Sequence, residues 1–187
     1  MNSLKPIDKA LRLESERLLI RPVTEDDTDK VLSMRNAEYV KKNFFYRKDI
    51  TREEHLNFFH KKCETGIVFY FVVIDKSDDE IIGVVYLQHY EEENRAMESG
   101  LFFSESLPQG KGYATEAYRL LADFAFNELD LLRLNAQVIS YNKASLRIHE
   151  KLGYKVIGSD EATITPTGET VEAVKLELLK GTFYEEN

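Results

Sequence analysis

The sequence is poor in the residues that build disulfides and metal centres. Cys63 is its only cysteine, so no disulfide can form within the chain, and a reducing, cytoplasmic setting is expected. The four histidines are scattered without metal-ligand spacing, so no metal is predicted. Leu56, Phe59 and Cys63 recur at helical spacing, which favours core packing over a nucleophilic role for the thiol.

Long hydrophobic runs are also missing. No apolar stretch approaches the roughly 18 residues that a membrane-spanning helix needs. Residues 1–12 carry charges and a proline but no apolar signal core, so we predict neither a membrane partner nor secretion. With 187 residues, the chain is expected to form a single domain, 1–187, with a core from about 14 to about 180.

Basic residues are in deficit. The sequence has 25 lysines and arginines against 33 aspartates and glutamates, for a formal net charge of −8. Such a chain gains nothing from counterion release on DNA or RNA, so no nucleic-acid partner is predicted. Negative charge attracts cationic partners such as amines, polyamines or basic peptides, although solubility is the simpler interpretation.

The apolar pattern predicts strands and helices that alternate along the chain. Helices are expected after Thr24, from the Thr51 capping box, from Tyr113 and from Ala144 to Leu152, where Gly153 provides a stop. Strands are expected at 17–23, 67–74, 81–89, 96–103, 134–139, 154–157 and 171–179. This order predicts an α/β (α+β) fold, a mixed central sheet of six to seven strands with helices on both faces.

The most informative stretch is the glycine-containing segment 107–116, which joins a strand to an amphipathic helix. Glycines let successive backbone N–H groups point into one concavity, and a helix N-terminus adds free N–H groups and partial positive charge. Together they predict a phosphate or pyrophosphate site, with Lys111 at its rim. Glu105 and Gly112 break the nucleotide P-loop pattern, and Thr115 breaks the dinucleotide fingerprint, so both motifs are excluded.

Three short motifs follow one another in the second half of the chain. Residues 109–114 read Q-G-K-G-Y-A, residues 142–145 read N-K-A-S, and residues 150–154 read E-K-L-G-Y. They resemble the Q/R-x-x-G-x-G/A signature and the N-x-x-S … E-K-L-G-F ending of the GNAT superfamily of N-acetyltransferases. The resemblance covers about residues 17–179, and its nearest branch is that of ribosomal-protein N-terminal and spermidine acetyltransferases. It implies the GNAT fold and an acyltransferase that takes acetyl-CoA as co-substrate.

The resemblance also implies where the coenzyme binds. Backbone N–H groups of the glycine turn take the pyrophosphate, and the pantetheine arm pairs with a strand edge that a bulge at Ser99–Gly100 parts from residues 134–139. The implied coenzyme-binding residues are Leu101, Phe102, Phe103, Gln109, Gly110, Lys111, Gly112, Tyr113, Ala114, Thr115, Asn142 and Ser145.

For catalysis, the resemblance points to Glu98 as the base that takes the proton of the amine, directly or through water. Many family members place a tyrosine acid where this chain has His149, whose unperturbed pKa is near ~6.5. Ser145 is the other candidate, as a hydrogen-bond donor to the thiolate. The first two helices are implied to form the acceptor wall, with candidate substrate residues Arg35, Asn36, Tyr46, His55 and Glu98.

Several alternatives remain open at this point. The acceptor is a protein N-terminal amine, such as that of a ribosomal protein, or a small amine, with a polyamine or an amino-sugar nucleotide as further options. A non-catalytic acyl-CoA-binding module and an unrelated fold with a coincidental glycine turn are the competing classes. A homodimer is also left open.

Overall fold

A computed structural model of the chain describes residues 4–108 and 110–185. All of its strands join one eight-stranded sheet in the order β1-β2-β3-β4-β5-β6-β8-β7. The strands are β1 (Leu13–Glu14), β2 (Leu18–Pro22), β3 (Phe69–Asp75), β4 (Glu80–Glu91), β5 (Ala96–Phe103), β6 (Arg133–Ile139), β7 (Lys155–Thr163) and β8 (Thr170–Leu179).

The sheet is mixed, as the sequence predicts. Strands β5 and β6 run parallel, and every other neighbouring pair is antiparallel. The predicted number of six to seven strands is one too low, because Leu13–Glu14 is too short to show an apolar pattern yet pairs with Leu19 and Ile20 of β2.

Six α-helices connect or flank the strands within the described residues. They are α1 (Thr28–Arg35), α2 (Glu38–Lys41), α3 (Arg52–Phe58), α4 (Tyr113–Asn127), α5 (Lys143–Lys151) and α6 (Lys180–Glu185). A 3-10 turn, Glu25–Asp27, precedes α1, and a π-helical turn, Phe59–Cys63, extends α3. None of these helices is long and apolar enough to cross a membrane.

Local signals set several helix boundaries. The Thr51 capping box is present, with the Glu54 N–H donating to Thr51 Oγ1 at 3.2 Å and the Thr51 N–H donating to Glu54 Oε2 at 2.7 Å. Gly153 follows the end of α5 at φ +88°, a left-handed conformation that suits glycine. Burial raises the pKa of Cys63 to about 12, so its thiol is a packing group and not a thiolate nucleophile.

The two faces of the sheet bury different helices, because successive side chains of a strand point to opposite faces. On one face, Val85 and Met97 pack with Leu121 of α4. On the other face, Val84 and Phe102 pack with α1. The predicted helices on both faces are therefore present.

Strands β5 and β6 part after only three facing pairs. Ala96, Met97 and Glu98 face Arg133, Leu134 and Asn135, and beyond them β5 pairs only with β4 while β6 pairs only with β8. The predicted bulge at Ser99–Gly100 is wrong, because those two residues keep regular register with β4. The irregularity lies on β4 between Gln88 and Glu91, where His89 adopts φ +55°.

Candidate active site

A cavity of about 1140 Å³ opens where β5 and β6 part. Gly100 and Leu101 of β5 line one wall, and Gln137 and Val138 of β6 line the opposite wall. The cavity runs from the glycine turn before α4, past the gap between the strands, to the helices α1 and α3. It is therefore continuous from the predicted phosphate site to the predicted acceptor wall. Among the residues that the structure describes, no group of three or more metal-ligating side chains is present.

The glycine turn has the backbone that an anion site needs. Gly110 and Gly112 lie at φ +78° and +83°, the left-handed region in which glycine has no steric penalty. The first hydrogen bond of α4 runs from the Glu116 N–H to the Gly112 carbonyl at 2.9 Å, so the N–H groups of residues 113–115 precede it and lack an acceptor inside the helix. Residues 110 and 112–115 line the cavity, with these donors at the helix N-terminus.

Arg17 holds this turn from outside the cavity. Its Nη1 donates to the Lys111 carbonyl and its Nε donates to Glu116 Oε2, both at 2.9 Å, and its guanidinium lies 4.4 Å from the centre of the Tyr113 ring. Burial works against the charge of Glu116, but its hydrogen bonds with Arg17 and Ser15 outweigh burial and lower the pKa of the carboxyl. Lys111 itself does not line the cavity, and the predicted coenzyme ligand Gln109 lies outside the described residues.

Glu98 reaches the cavity beside the point where the strands part. Its side chain is 27% exposed. Gln88 Nε2 donates to Glu98 Oε1 at 2.7 Å, and His89 Nδ1 lies 3.3 Å from Glu98 Oε2. Gln88 faces Glu98 in regular register and His89 follows at the irregularity of β4, and the two orient the carboxylate. An accessible, oriented carboxylate can accept a proton from a bound amine.

Four polar side chains form a buried network on the opposite face of β5. Ser99 Oγ lies 2.6 Å from Tyr118 Oη and 2.8 Å from Tyr154 Oη, and it donates to the Asn135 carbonyl at 3.0 Å. Tyr118 Oη also lies 3.2 Å from His149 Nε2. The rings of Tyr118 and Tyr154 stack with centres 5.9 Å apart. The network therefore fixes β5, α4 and α5 relative to one another at the last facing pair.

The predicted role of His149 as the acid is not supported by its surroundings. The side chain is 2% exposed, and burial lowers its pKa from 6.5 to about 4, so the ring is neutral at neutral pH. Its Nδ1 lies 2.8 Å from the Ser145 carbonyl, which can only accept, so Nδ1 carries the proton and Nε2 accepts. His149 is thus a buried, neutral ring beside the Tyr118 hydroxyl on the cavity wall, rather than the titrating acid that its position in the motif suggests.

Asn142 and Ser145 lie on the cavity at the start of α5. The Ser145 N–H donates to Asn142 Oδ1 at 3.2 Å, so Asn142 caps the helix. Ser145 Oγ is 3.5 Å from His149 Nδ1, whose proton is already directed to the Ser145 carbonyl. The hydroxyl of Ser145 therefore remains available to a ligand in the cavity.

The predicted acceptor residues divide into two groups. Arg35, Tyr46 and His55 line the cavity together with Glu98. Asn36 does not, because its side-chain amide donates to the Ile50 carbonyl and accepts from the Ile50 N–H, both at 2.9 Å. Its predicted contact with substrate is replaced by a structural role, the positioning of Ile50 on the cavity wall.

Sequence reasoning missed Tyr70 and Tyr86 on the floor of the acceptor side. The two rings stack with centres 5.8 Å apart, and both line the cavity. Gly100 faces Tyr86 across the strands, and a Cβ at residue 100 would overlap the Tyr86 ring. The small residue opposite a strand tyrosine is the signal that was available, but it becomes readable only once the register is known.

Comparisons with known proteins agree with this architecture. The family described as "Acetyltransferase (GNAT) domain" matches residues 17–155. The probable N-acetyltransferase YjcK of Bacillus subtilis is 28% identical over 154 residues, which cover 76% of this chain and 82% of that protein. The spermidine N(1)-acetyltransferase of Escherichia coli is 30% identical over 139 residues, 74% of this chain and 73% of that one. The spermidine N-acetyltransferase from Vibrio cholerae, solved in complex with CoA and spermine, superposes with a TM-score of 0.82 at 19% identity, covering 91% of this chain and 99% of that one.

The fold and the family match define an acyltransferase. The chain belongs to the GNAT family of N-acetyltransferases, as its motifs indicate. Proteins similar to it include a spermidine acetyltransferase and a putative ribosomal N-acetyltransferase, which agrees with the predicted branch.

Proposed function

We propose that this protein transfers the acetyl group of acetyl-CoA to a primary amine by direct attack of the amine on the thioester. The observation that carries the proposal is the parting of β5 and β6 directly after Glu98, inside one cavity that joins the glycine turn to the wall of α1 and α3. The end of the cavity at the glycine turn can hold an acyl donor, and the end at α1 and α3 can hold an amine. The Glu98 carboxylate lies between the two ends.

The glycine turn and the open edge of β5 fit coenzyme A as co-substrate. The N–H groups of residues 110–115 are proposed to bind the pyrophosphate, which suits the positive end of α4. Beyond Glu98, the edge of β5 that faces β6 has no strand partner, so Leu101, Phe102 and Phe103 can pair with the amides of the pantetheine arm. Asn142 holds the start of α5 against the same arm.

Glu98 takes the proton of the amine. An ammonium has no lone pair, so it becomes a nucleophile only after it loses a proton, and the carboxylate accepts that proton directly or through water. Gln88 and His89 fix the carboxylate so that it faces the cavity. Because attack forms no covalent enzyme intermediate, no nucleophilic side chain is required.

The remaining charges develop on the thioester oxygen and then on sulfur. A backbone N–H of the open β5 edge stabilises the oxygen, as a preorganised donor that needs no rearrangement. The proton that the nitrogen loses as the tetrahedral intermediate collapses passes to the departing sulfur, to which the Ser145 hydroxyl donates a hydrogen bond. His149 positions Ser145 through the 2.8 Å contact of its Nδ1 with the Ser145 carbonyl, and does not itself supply the proton.

Turnover of acetyl-CoA with a panel of peptides, polyamines, amino acids and amino-sugar nucleotides tests the proposal. Coenzyme A is expected to raise the melting temperature, because a hundredfold excess over Kd adds about 2.7 kcal/mol to the free energy of unfolding. At least one primary amine is expected to release free CoA and gain an acetyl group. A raised melting temperature with no transfer to any amine would instead indicate a non-catalytic coenzyme-binding module.

The relatives support both a polyamine and a protein N-terminus as the acceptor, since both activities occur among similar proteins. The acceptor side of this cavity adds evidence of its own.

A further inference from the structure

Arg35 of α1 is a buried cation without a carboxylate partner among the residues that the structure describes. Its side chain is 7% exposed on the wall of the cavity. Its Nη2 donates to the Tyr46 carbonyl at 2.9 Å, and its guanidinium carbon lies 3.9 Å from the centre of the Phe44 ring. Its Nη1 is buried and has no hydrogen-bond partner within the described part of the chain.

A buried guanidinium is costly unless a counter-charge and acceptors are present. The side chains that act on Arg35 electrostatically are the phenols of Tyr70, Tyr86 and Tyr46. Burial raises the pKa of Tyr70 and of Tyr86, so these two phenols are neutral at neutral pH. No carboxylate of the described residues is paired with Arg35, so an anion that enters the cavity can supply the compensating charge.

His55 of α3 gives a second, independent sign of a ligand-binding site. The residue is 6% exposed and lines the same cavity, and its Nε2 is buried without a hydrogen-bond partner among residues 4–108 and 110–185. Burial lowers the pKa of His55, so the ring is a neutral polar group that needs a donor or an acceptor. Two unsatisfied polar groups in one pocket are unusual for a native interior.

Tyr86 connects this pocket to the proposed base. Its phenol interacts electrostatically with both Glu98 and Arg35, and its ring lies across Gly100 at the gap between the strands. Arg35, Tyr86 and Glu98 all line the cavity, so its acceptor side presents both a guanidinium and a carboxylate. This pair complements a ligand that carries both an amine and an anion.

We propose that the amine acceptor carries an anionic group, a carboxylate or a phosphate, that binds Arg35 while its amine faces Glu98. The inference rests on the proposed function and narrows it. A guanidinium binds either anion with two N–H donors, and the free Nη1 supplies one of them. A polyamine fits this wall poorly, because it would place a second cation beside Arg35.

Matched acceptors test the inference on the wild-type protein with acetyl-CoA. The carboxylate set is phenylalanine, phenylalaninamide and phenethylamine, and the phosphate set is phosphoethanolamine and ethanolamine, with spermidine added. The anionic member of at least one set is expected to show the higher kcat/KM. The two sets distinguish a carboxylate from a phosphate acceptor.

Variants at Arg35 test whether the preference for anionic acceptors depends on the guanidinium or on a general loss of activity. In Arg35→Met the kcat/KM of the anionic acceptor is expected to fall by about 10- to 100-fold, and that of its neutral partner is expected to fall much less. Comparison between variants cancels the differences in amine basicity within a set. Arg35→Lys keeps the charge and is expected to recover part of the preference, and it replaces Arg35→Met if that variant does not fold. Arg52→Met removes an exposed arginine that pairs with Asp29 outside the cavity, and is expected to leave the preference unchanged.

Two results would overturn the inference while leaving acetyl transfer intact: a wild-type preference for spermidine or for the neutral amines, or an anion preference that survives Arg35→Met. If no amine is acetylated, calorimetry of the same ligands with the coenzyme-bound protein decides. Arg35-dependent binding of the anionic amine would then support the anion site although the proposed function had failed, and its absence would refute both.

Discussion

Glu98 and Asn135 form the last facing pair of the parallel strands β5 and β6, and the sheet opens directly beyond them. Ser99, the next residue of β5, donates to the Asn135 carbonyl and so links β5 to β6 on the face that packs against α4. The gap between β5 and β6 therefore begins at one fixed pair of residues, and the carboxylate proposed as the base belongs to that pair.

The first prediction concerns this carboxylate. Glu98→Gln keeps the size of the side chain but removes its basicity, so turnover of acetyl-CoA is expected to fall by about 100-fold or more. Affinity for coenzyme A, measured by thermal shift, is expected to remain unchanged because Glu98 is not among the proposed coenzyme ligands. Glu161→Gln, on the exposed strand β7, serves as the control. Full activity in Glu98→Gln would remove the residue from the mechanism.

A second prediction concerns the glycine turn. Gly112 lies at φ +83°, and a Cβ there would meet only Arg17 Nη2 at 3.7 Å, so the cost of Gly112→Ala is one of backbone conformation and not of space. That cost is roughly 1–2 kcal/mol, and we expect coenzyme affinity to weaken by about 5- to 30-fold as the turn relaxes. Titration calorimetry with coenzyme A measures the change.

Gly181→Ala is the matched control for the turn. Gly181 lies in α6 with open space around its Cβ position and without a left-handed φ. Alanine is the better helix former, so this variant should bind coenzyme A normally and unfold no earlier than the wild type. Equal affinity in the two alanine variants would mean that the turn does not hold the pyrophosphate.

A third prediction concerns the close approach of Gly100 and Tyr86. Gly100→Ala is expected to push the Tyr86 ring off the floor of the cavity, lowering stability by about 1–3 kcal/mol and reducing turnover. In a Tyr86→Leu background, Gly100→Ala should lower stability much less than it does in the wild type, because the overlap with the Tyr86 ring is gone. Urea unfolding and acetyl-CoA turnover are measured for the wild type, both single variants and the double variant. If the effects of the two substitutions simply added, the contact between Gly100 and Tyr86 would be contradicted.

Local patterns predicted most of the fold, because buried strands and amphipathic helices carry strong periodicities. The β5 boundaries, Ala96–Phe103, and the start of α4 at Tyr113 agree with the sequence prediction. Strand β7 extends to Thr163, well past the predicted end at Ile157, because it lies at the edge of the sheet and is almost wholly exposed, without an apolar face to show an alternation.

The site was less predictable where it depends on register. The position of Glu98 within a strand was readable. Its partner Gln88 depends on the register of β4 with β5, and its partner His89 follows from an irregularity of β4 that no residue of the segment signals. The burial of His149 depends on the packing of α5 against Tyr118 and Tyr154, which a motif does not reveal. Nonlocal packing thus decided which polar residues face the cavity.

The fourth prediction follows from the depressed pKa of His149. The unfolded chain binds a proton near 6.5 that the folded protein binds only near about 4, so stability present above 6.5 is lost as the pH falls through this interval. We expect the free energy of unfolding to decline between about pH 7 and pH 5, by up to about 1.4 kcal/mol per pH unit from this group. His55, whose pKa is also lowered by burial, adds to the slope. In His149→Leu the slope measured by urea unfolding should become shallower. An unchanged slope in His149→Leu would show that the imidazole is not held neutral by the fold.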